Sequence, residues 1–116
     1  MINTSFVART FQLWEYRVSH GSLLIRSPQT EDGGFATNID IVCTGVEYLA
    51  LPRFIRGLQL LEARPDEVRD LETVLGKELL PASVRIFASM GQRFPVVAAS
   101  LKVDENQKEI FESPFD

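Results

Sequence analysis

The residues best suited to nucleophilic chemistry form a serine–histidine cluster, Ser19, His20 and Ser22, for which Asp40 is a candidate acid. A serine hydrolase needs these three groups linked by hydrogen bonds, and donors that stabilise an oxyanion. Adjacent residues on a strand point to opposite faces, so Ser19 and His20 cannot form such a pair. The sequence also lacks the G-x-S-x-G turn that exposes a serine nucleophile. We therefore interpret the cluster as turn-stabilising polar residues and expect no catalytic residues and no enzymatic activity.

Three acids on predicted strands, Glu15, Asp40 and Glu47, could instead supply the paired carboxylates of a glycosidase. Their separation is not fixed by the sequence, and Glu15 has Arg26 as its predicted partner. We therefore favour a structural role for these acids.

Two arginines beside an aromatic residue, Arg53 and Arg56 around Phe54, have the spacing of an anion or carboxylate clamp. The alternative is a turn with two exposed basic residues. We group both arginines with Arg17 and His20, which lie on and at the tip of a predicted hairpin, as the candidate binding residues.

Metal and disulfide chemistry is limited by the presence of one cysteine, Cys43, and one histidine, His20. One of each is too few for a structural zinc site within one chain, and a lone cysteine cannot form an internal disulfide. We expect no metal and no other cofactor, and interpret Cys43 as a small core residue.

The charge is concentrated at one end of the sequence. Residues 104–116 contain five acids and one lysine, whereas residues 1–103 contain eleven acids and eleven basic residues. A neutral body argues against a nucleic-acid partner, which would favour a basic face. No apolar run is long enough for a membrane span, and the first residues do not resemble a signal peptide. We therefore expect a cytoplasmic protein with no membrane partner.

The pattern of residues 11–28 predicts a β-hairpin. A two-residue turn at His20-Gly21 would place Glu15 opposite Arg26 on a polar face. The opposite face would then be apolar and would join the core through Trp14, Tyr16, Val18, Leu23 and Ile25.

The remaining elements follow from periodicity and from glycine and proline positions. Residues 1–8 are expected to form a loose arm or edge strand, 29–36 a mobile loop and 53–57 a turn. A proline start, an apolar stripe and Gly76 predict a helix over residues 65–75. Further strands are predicted over residues 37–51, with a bulge or bend at Gly45, and over 57–62, 83–89 and 92–103.

Together these elements predict an α+β fold: about six mostly antiparallel strands, as a sandwich or partly open barrel, with one late helix covering one side. Residues 1–103 would form one domain followed by an acidic tail, 104–116. We expect a non-catalytic protein-binding module, of immunity-protein or accessory-factor type by analogy of size and charge, whose partner is another protein or its own copy. In a homodimer, the tail would dock on arginines such as Arg53 or Arg56 of the other copy. The alternative is a small-ligand-binding or hydrolytic barrel with a pocket between helix and sheet.

Overall fold

The structure, a computed structural model, describes residues 4–32 and 34–116, so the predictions for residues 1–3 and 33 lie outside the described residues. The helix is α1 (Pro65–Leu75). The strands are β1 (Thr4–Arg17), β2 (Ser22–Ser27), β3 (Asn38–Thr44), β4 (Tyr48–Leu49), β5 (Phe54–Glu62), β6 (Val84–Ser89), β7 (Gln92–Val97) and β8 (Ser100–Asn106). They form one open antiparallel sheet in the order β4-β7-β6-β5-β1-β2-β3-β8. The predicted antiparallel α+β class is confirmed, but the count of about six strands is too low.

Two sharp corners account for the additional strands. One predicted strand bends at Gly45 and becomes β3 and β4, and another breaks at Ala98 and Ala99 and becomes β7 and β8. The predicted bend at Gly45 is confirmed: its φ is 64° and the strand ends one residue earlier. Each corner connects strands at opposite ends of the sheet, so the sheet must curve until its ends approach. The corners meet where the backbone N–H of Ala99 donates to the carbonyl of Thr44, at 3.0 Å.

The hairpin of β1 and β2 exists, but its predicted register is wrong. The turn spans residues 18–21, and both His20 and Gly21 adopt positive φ. This longer turn places Glu15 opposite Leu24, and a bulge at Trp14 shifts the pairing again, so that Leu13 lies opposite Ile25. The turn is longer than predicted because it is held by the Gly45 corner, whose N–H groups donate to the carbonyls of His20 and Gly21.

The register error changes which side chains enter the core. Tyr16 and Val18, expected inside, are exposed, and Trp14 is partly buried. Phe11 is fully buried in their place, and Leu13 packs beside it. The inner face of the sheet is therefore lined by a single cluster, made of Phe11, Leu23, Ile25, Ile39, Ile41, Cys43, Ile55, Leu58, Leu60, Phe87, Val96 and Ala98.

The central position of β1 contradicts the predicted arm or edge strand at residues 4–8. β1 lies between β5 and β2, and its first residues pair with β5. The predicted turn at residues 53–57 is also wrong, because β5 begins at Phe54. β5 continues through Gly57, which has a φ of 62° and lies at an irregularity in the β1–β5 pairing. The carbonyl oxygen of Val7 is so close that a Cβ added at Gly57 would lie 3.0 Å from it.

The helix has the predicted bounds, ends at left-handed Gly76 and covers one end of the outer sheet face. Val68 and Leu71 pack against Val84 and Val97, whereas Val74, predicted on the same face, is exposed. A bidentate ion pair also fixes the helix to the sheet: the Nε and Nη2 atoms of Arg93 donate to the carboxylate of Glu67 at 2.8 and 2.9 Å.

Acid should weaken the contact between helix and sheet. The hydrogen bonds from Arg93 hold the pKa of Glu67 below its ordinary value of 4.5. A depressed carboxyl pKa contributes stability that is present above the unfolded pKa and is lost as the pH falls through the folded pKa. We expect the urea-unfolding free energy of the wild type to fall as the pH is lowered from about 5 to 3.

The variant Glu67→Gln should lose part of that pH dependence, because the amide does not titrate. The control is Glu78→Gln, a change at an exposed residue outside the ion pair. An identical pH profile in Glu67→Gln and in the wild type would show that this ion pair contributes nothing to the pH dependence.

The Gly45 corner should be intolerant of any side chain. A Cβ there would lie 2.8 Å from the Cβ of Ala99, whereas at Gly76, with φ of 70°, it would meet nothing within 4 Å. Gly76→Ala should therefore cost only the left-handed strain, roughly 1 kcal/mol. We expect Gly45→Ala to cost roughly 1–3 kcal/mol more in urea unfolding, because the clash adds overpacking. Equal losses of unfolding free energy in the two variants would mean that the corner accommodates the added methyl group without strain.

Candidate binding groove under residues 107–116

Residues 107–116, called the strap here, cross the outer face of the sheet at the end opposite the helix. β8 includes the first three residues of the predicted tail, so the strap begins after Asn106. The strap is held mainly through its backbone: the carbonyls of Lys108, Ile110, Glu112 and Phe115 accept hydrogen bonds from side chains of the sheet and its adjoining loop. The surface beneath it, called the groove, consists of Trp14, Glu15, Arg17, Arg26, Gln29, Asn38, Asp40 and Asn106.

At the centre of the groove lies a buried ion pair between Arg26 of β2 and Asp40 of β3. Their side chains are 0% and 1% exposed. The Nε and Nη2 atoms of Arg26 donate to the two carboxylate oxygens at 2.6 and 3.0 Å. Its Nη1 and Nη2 atoms donate to the carbonyls of Ile110 and Glu112, both at 3.2 Å. Because burial of a charge is costly unless it is paired and hydrogen-bonded, these contacts make the pair tolerable.

Asparagines extend this network along the edge of the groove. The Nδ2 atom of Asn38 donates at 2.9 Å to the carbonyl of Lys108 and to the Oδ1 atom of Asn106. Asn106 in turn donates to Asp40, also at 2.9 Å. Among the described residues, no buried side-chain nitrogen or oxygen lacks a hydrogen-bond partner. The groove is thus fully satisfied with the strap in place.

The far end of the strap is held by Arg17, one of the sequence-predicted binding residues. Its guanidinium donates at 2.6 Å to both Glu15 and Asp116, and at 3.2 Å to the carbonyl of Phe115. Hydrogen bonds from Ser113 and then Arg17 lower the pKa of Glu15. The hydrogen bond to Asp116, followed by that to Glu15, raises the pKa of Arg17. The predicted Glu15–Arg26 pair is therefore wrong, since Glu15 pairs with Arg17.

Most of the strap's larger side chains do not enter the groove. Phe111 is 93% exposed and Ile110 is 48% exposed. Phe115 is half-buried, with the guanidinium carbon of Arg17 at 5.6 Å from its ring centroid. The groove therefore contacts mainly the backbone of the strap. The side chains of Asp116 and Phe115 add an ion pair and a ring contact.

The other predicted binding residues lie elsewhere. Arg53 stacks at 5.0 Å over the Phe54 ring, and Arg56 is exposed on β5. Neither guanidinium has an acidic partner within the part of the chain that the structure describes. His20 is exposed in the hairpin turn. A binding role for these three residues stays a prediction, as does docking of the tail on Arg53 or Arg56 of a second copy. Within one chain the tail lies against Arg17 and Arg26.

The structure separates the candidate catalytic residues. The three acids considered as paired carboxylates are each bound by a different basic residue: Glu15 by Arg17, Asp40 by Arg26 and Glu47 by Lys77. Asp40 is also enclosed with Arg26, away from the exposed imidazole of His20. Within residues 4–32 and 34–116, no three histidine, cysteine or acidic side chains are close enough to hold a metal ion.

The centre of the groove does not follow from the predicted hairpin, which places Arg26 opposite Glu15 and not opposite Asp40. β2 and β3 pair so that Arg26 lies directly opposite Asp40. The sequence does contain a signal for this pair, since opposite charges occur on consecutive predicted strands. Applying antiparallel pairing to β2 and β3, rather than only to the first hairpin, would have brought the two residues together.

Breaking the buried pair should be far more costly than breaking the exposed one. Arg26→Met leaves Asp40 buried without its cation, and we expect a loss of roughly 3–5 kcal/mol in urea unfolding. Arg17→Met makes the same chemical change at a more exposed arginine that also binds the strap, and should cost clearly less. Equal losses in the two variants would refute the central role of the Arg26–Asp40 pair.

A functional proposal for this chain rests on the geometry of the groove, because comparisons with known proteins give no match. No protein-family model, no curated protein and no solved structure matches the chain. Among the described residues, no helix is long and apolar enough to cross a membrane.

Proposed function

We propose that the chain is a non-catalytic protein-binding module, and that its binding site is the groove now occupied by the strap. The observation that supports this most directly is the geometry of Arg26. This buried guanidinium donates to two main-chain carbonyls of one segment, at Ile110 and Glu112. A site of this kind recognises polypeptide backbone, so its natural ligand is a segment of protein.

The conformation of the strap supports a ligand that forms a turn. The backbone N–H of Glu112 donates to the carbonyl of Glu109 at 2.9 Å, and this turn presents the carbonyls of Ile110 and Glu112 to Arg26. The donors are fixed in advance. Asp40 orients Arg26, and the backbone N–H of Gln29 donates to the side-chain amide oxygen of Asn38. Such preorganisation lowers the entropy cost of binding.

The composition of the strap and its contact with Arg17 favour an acidic ligand. The strap contains three acids and one lysine, and Arg17 binds the acid at Asp116 directly. A partner segment that presents an acid and an aromatic ring to Arg17, as Asp116 and Phe115 do, could replace the strap. A toxin-neutralising immunity protein or an accessory factor is the biological role that we propose for such a module.

A small-ligand site is the second candidate, and a cavity of about 270 Å³ supports it. The cavity lies near the start of α1 and is lined by Glu62, Ala63, Pro81, Ala82, Val84 and Arg85. Its volume is just below the usual range for ligand pockets, about 300–1,000 Å³. We rank it lower because it is lined by few polar side chains, whereas the groove already holds a peptide segment.

The proposal is tested by competition between the strap and a free peptide. A fluorescent synthetic peptide of residues 107–116 is titrated into the full chain, and binding is followed by anisotropy. In a Phe115→Ala/Asp116→Asn chain the strap loses the ion pair and the ring contact with Arg17, so the groove is vacated more often. We expect this variant to bind the wild-type peptide roughly tenfold more tightly than the wild-type chain does.

Two controls separate groove binding from general charge effects. A Glu109→Gln chain removes one strap acid outside the Arg17 contact and should bind like the wild type. A scrambled peptide that no longer ends in the Phe-Asp pair has the same charge and composition but lacks the side-chain contacts with Arg17, so it should bind more weakly to every chain. Equal affinity for the scrambled peptide, or no gain in the Phe115→Ala/Asp116→Asn chain, would overturn the proposal.

A further inference from the structure

The outer edge of the sheet at β8 is a second surface with the properties of an interface. β8 pairs with β3 along its full length, from Ser100 to Asn106. Along its other edge, no strand of the described residues pairs with it. An edge strand of seven residues presents a row of unpaired N–H and C=O groups that can pair with another strand.

The side chains of β8 divide by face in the usual alternating way. Lys102 and Asp104 lie opposite Val42 and Asp40 of β3, on the outer face of the sheet. Val103 points to the inner side and is 39% exposed, an apolar side chain that its own chain leaves partly uncovered.

We propose that β8 pairs antiparallel with β8 of a second copy of this chain, about a two-fold axis at Val103. In this register Lys102 lies opposite the partner's Asp104, and Asp104 lies opposite the partner's Lys102. Val103 meets the partner's Val103 at the axis, which covers the exposed part of this side chain. The interface is self-complementary, as a two-fold contact between identical surfaces requires.

Charge selects this register over its neighbours. A shift of two residues is the smallest that keeps the inner faces of both sheets on the same side. Such a shift would place the axis at Lys102 or at Asp104, and would bring two lysines or two aspartates directly opposite each other. Like charges directly opposite are destabilising, so only the register centred on Val103 gives attraction at both positions.

The acid on this edge is positioned for such a contact. The carboxylate of Asp104 accepts a hydrogen bond from Asn106 at 2.9 Å and has the Nζ atom of Lys108 at 3.9 Å. Its side chain nevertheless remains 51% exposed. The dimer surface and the groove are therefore adjacent, since Asn106 belongs to the groove and Lys108 to the strap.

The experiment is a charge exchange followed by light scattering of the full chain over a dilution series. The wild type should approach twice its mass of 13.1 kDa at the highest concentrations. Lys102→Asp and Asp104→Lys each place like charges opposite one another at two positions. Each should raise the dimer dissociation constant about tenfold or more.

The decisive sample is an equal mixture of the two single variants. In their heterodimer every altered residue faces an opposite charge, so the mixture should recover the dimer, as should the double variant Lys102→Asp/Asp104→Lys. Asp70→Lys changes an exposed acid on α1 by the same chemistry and should leave the wild-type dimer intact. Circular dichroism confirms that each variant is folded.

Three outcomes would overturn the proposal. One is a wild-type mass of 13.1 kDa throughout the dilution series. The second is a dimer that both single variants retain, since it would use another surface. The third is a dimer that the single variants lose and neither the mixture nor the double variant recovers. Each result is a mass measured without peptide, so it can be obtained whether or not the groove binds peptides.

Discussion

The buried contact between Arg26 and Asp40 is the constraint on which the outer half of the structure depends. Two opposite charges removed from water cost several kcal/mol each unless their hydrogen-bonding capacity is filled. Asp40 fills only part of the capacity of Arg26, and the strap supplies the remaining acceptors from its backbone. Asn106 donates a further hydrogen bond to the carboxylate of Asp40. The position of the strap is therefore a consequence of where this ion pair is buried.

The sheet is covered on its outer face in two physically different ways. The helix is attached by side chains: Val68 and Leu71 enter the sheet surface, and Glu67 is bound by Arg93. The strap is attached largely by carbonyl groups, and its most apolar side chain, Phe111, points to solvent. Apolar packing of the first kind is specific to the helix sequence, whereas backbone contacts can be made by many sequences. This contrast is why we regard the strap, and not the helix, as replaceable by a partner.

The parts of the fold that were predicted correctly are those set by local sequence. The helix was found with its bounds because Pro65 and Gly76 mark its ends and the apolar spacing fills the interval. The bend at Gly45 was found because an apolar pattern changes at a glycine. The hairpin register failed because it depends on a distant corner, which holds a four-residue turn where two residues were assumed.

The groove was harder to predict than the fold. The alternation of Ile39, Asp40 and Ile41 is that of a strand with one face in water, and nothing in β3 shows that Asp40 is covered. The cover is provided by carbonyls of the strap, and every residue type carries a carbonyl, so no side-chain pattern records it. Of the predicted binding residues only Arg17 belongs to the groove, because the strap also uses a side chain there.

The single thiol of the chain, Cys43, can be used to measure local opening of the sheet around β3. Cys43 lies on β3, opposite Leu23 on one side and Leu101 on the other, and is fully buried. Burial raises its pKa to about 12, so at neutral pH almost none of it is the reactive thiolate. An alkylating reagent can therefore reach it only when β3 separates from its neighbours. The rate of that reaction, measured on the unmodified chain, reports how often β3 separates from β2 and β8.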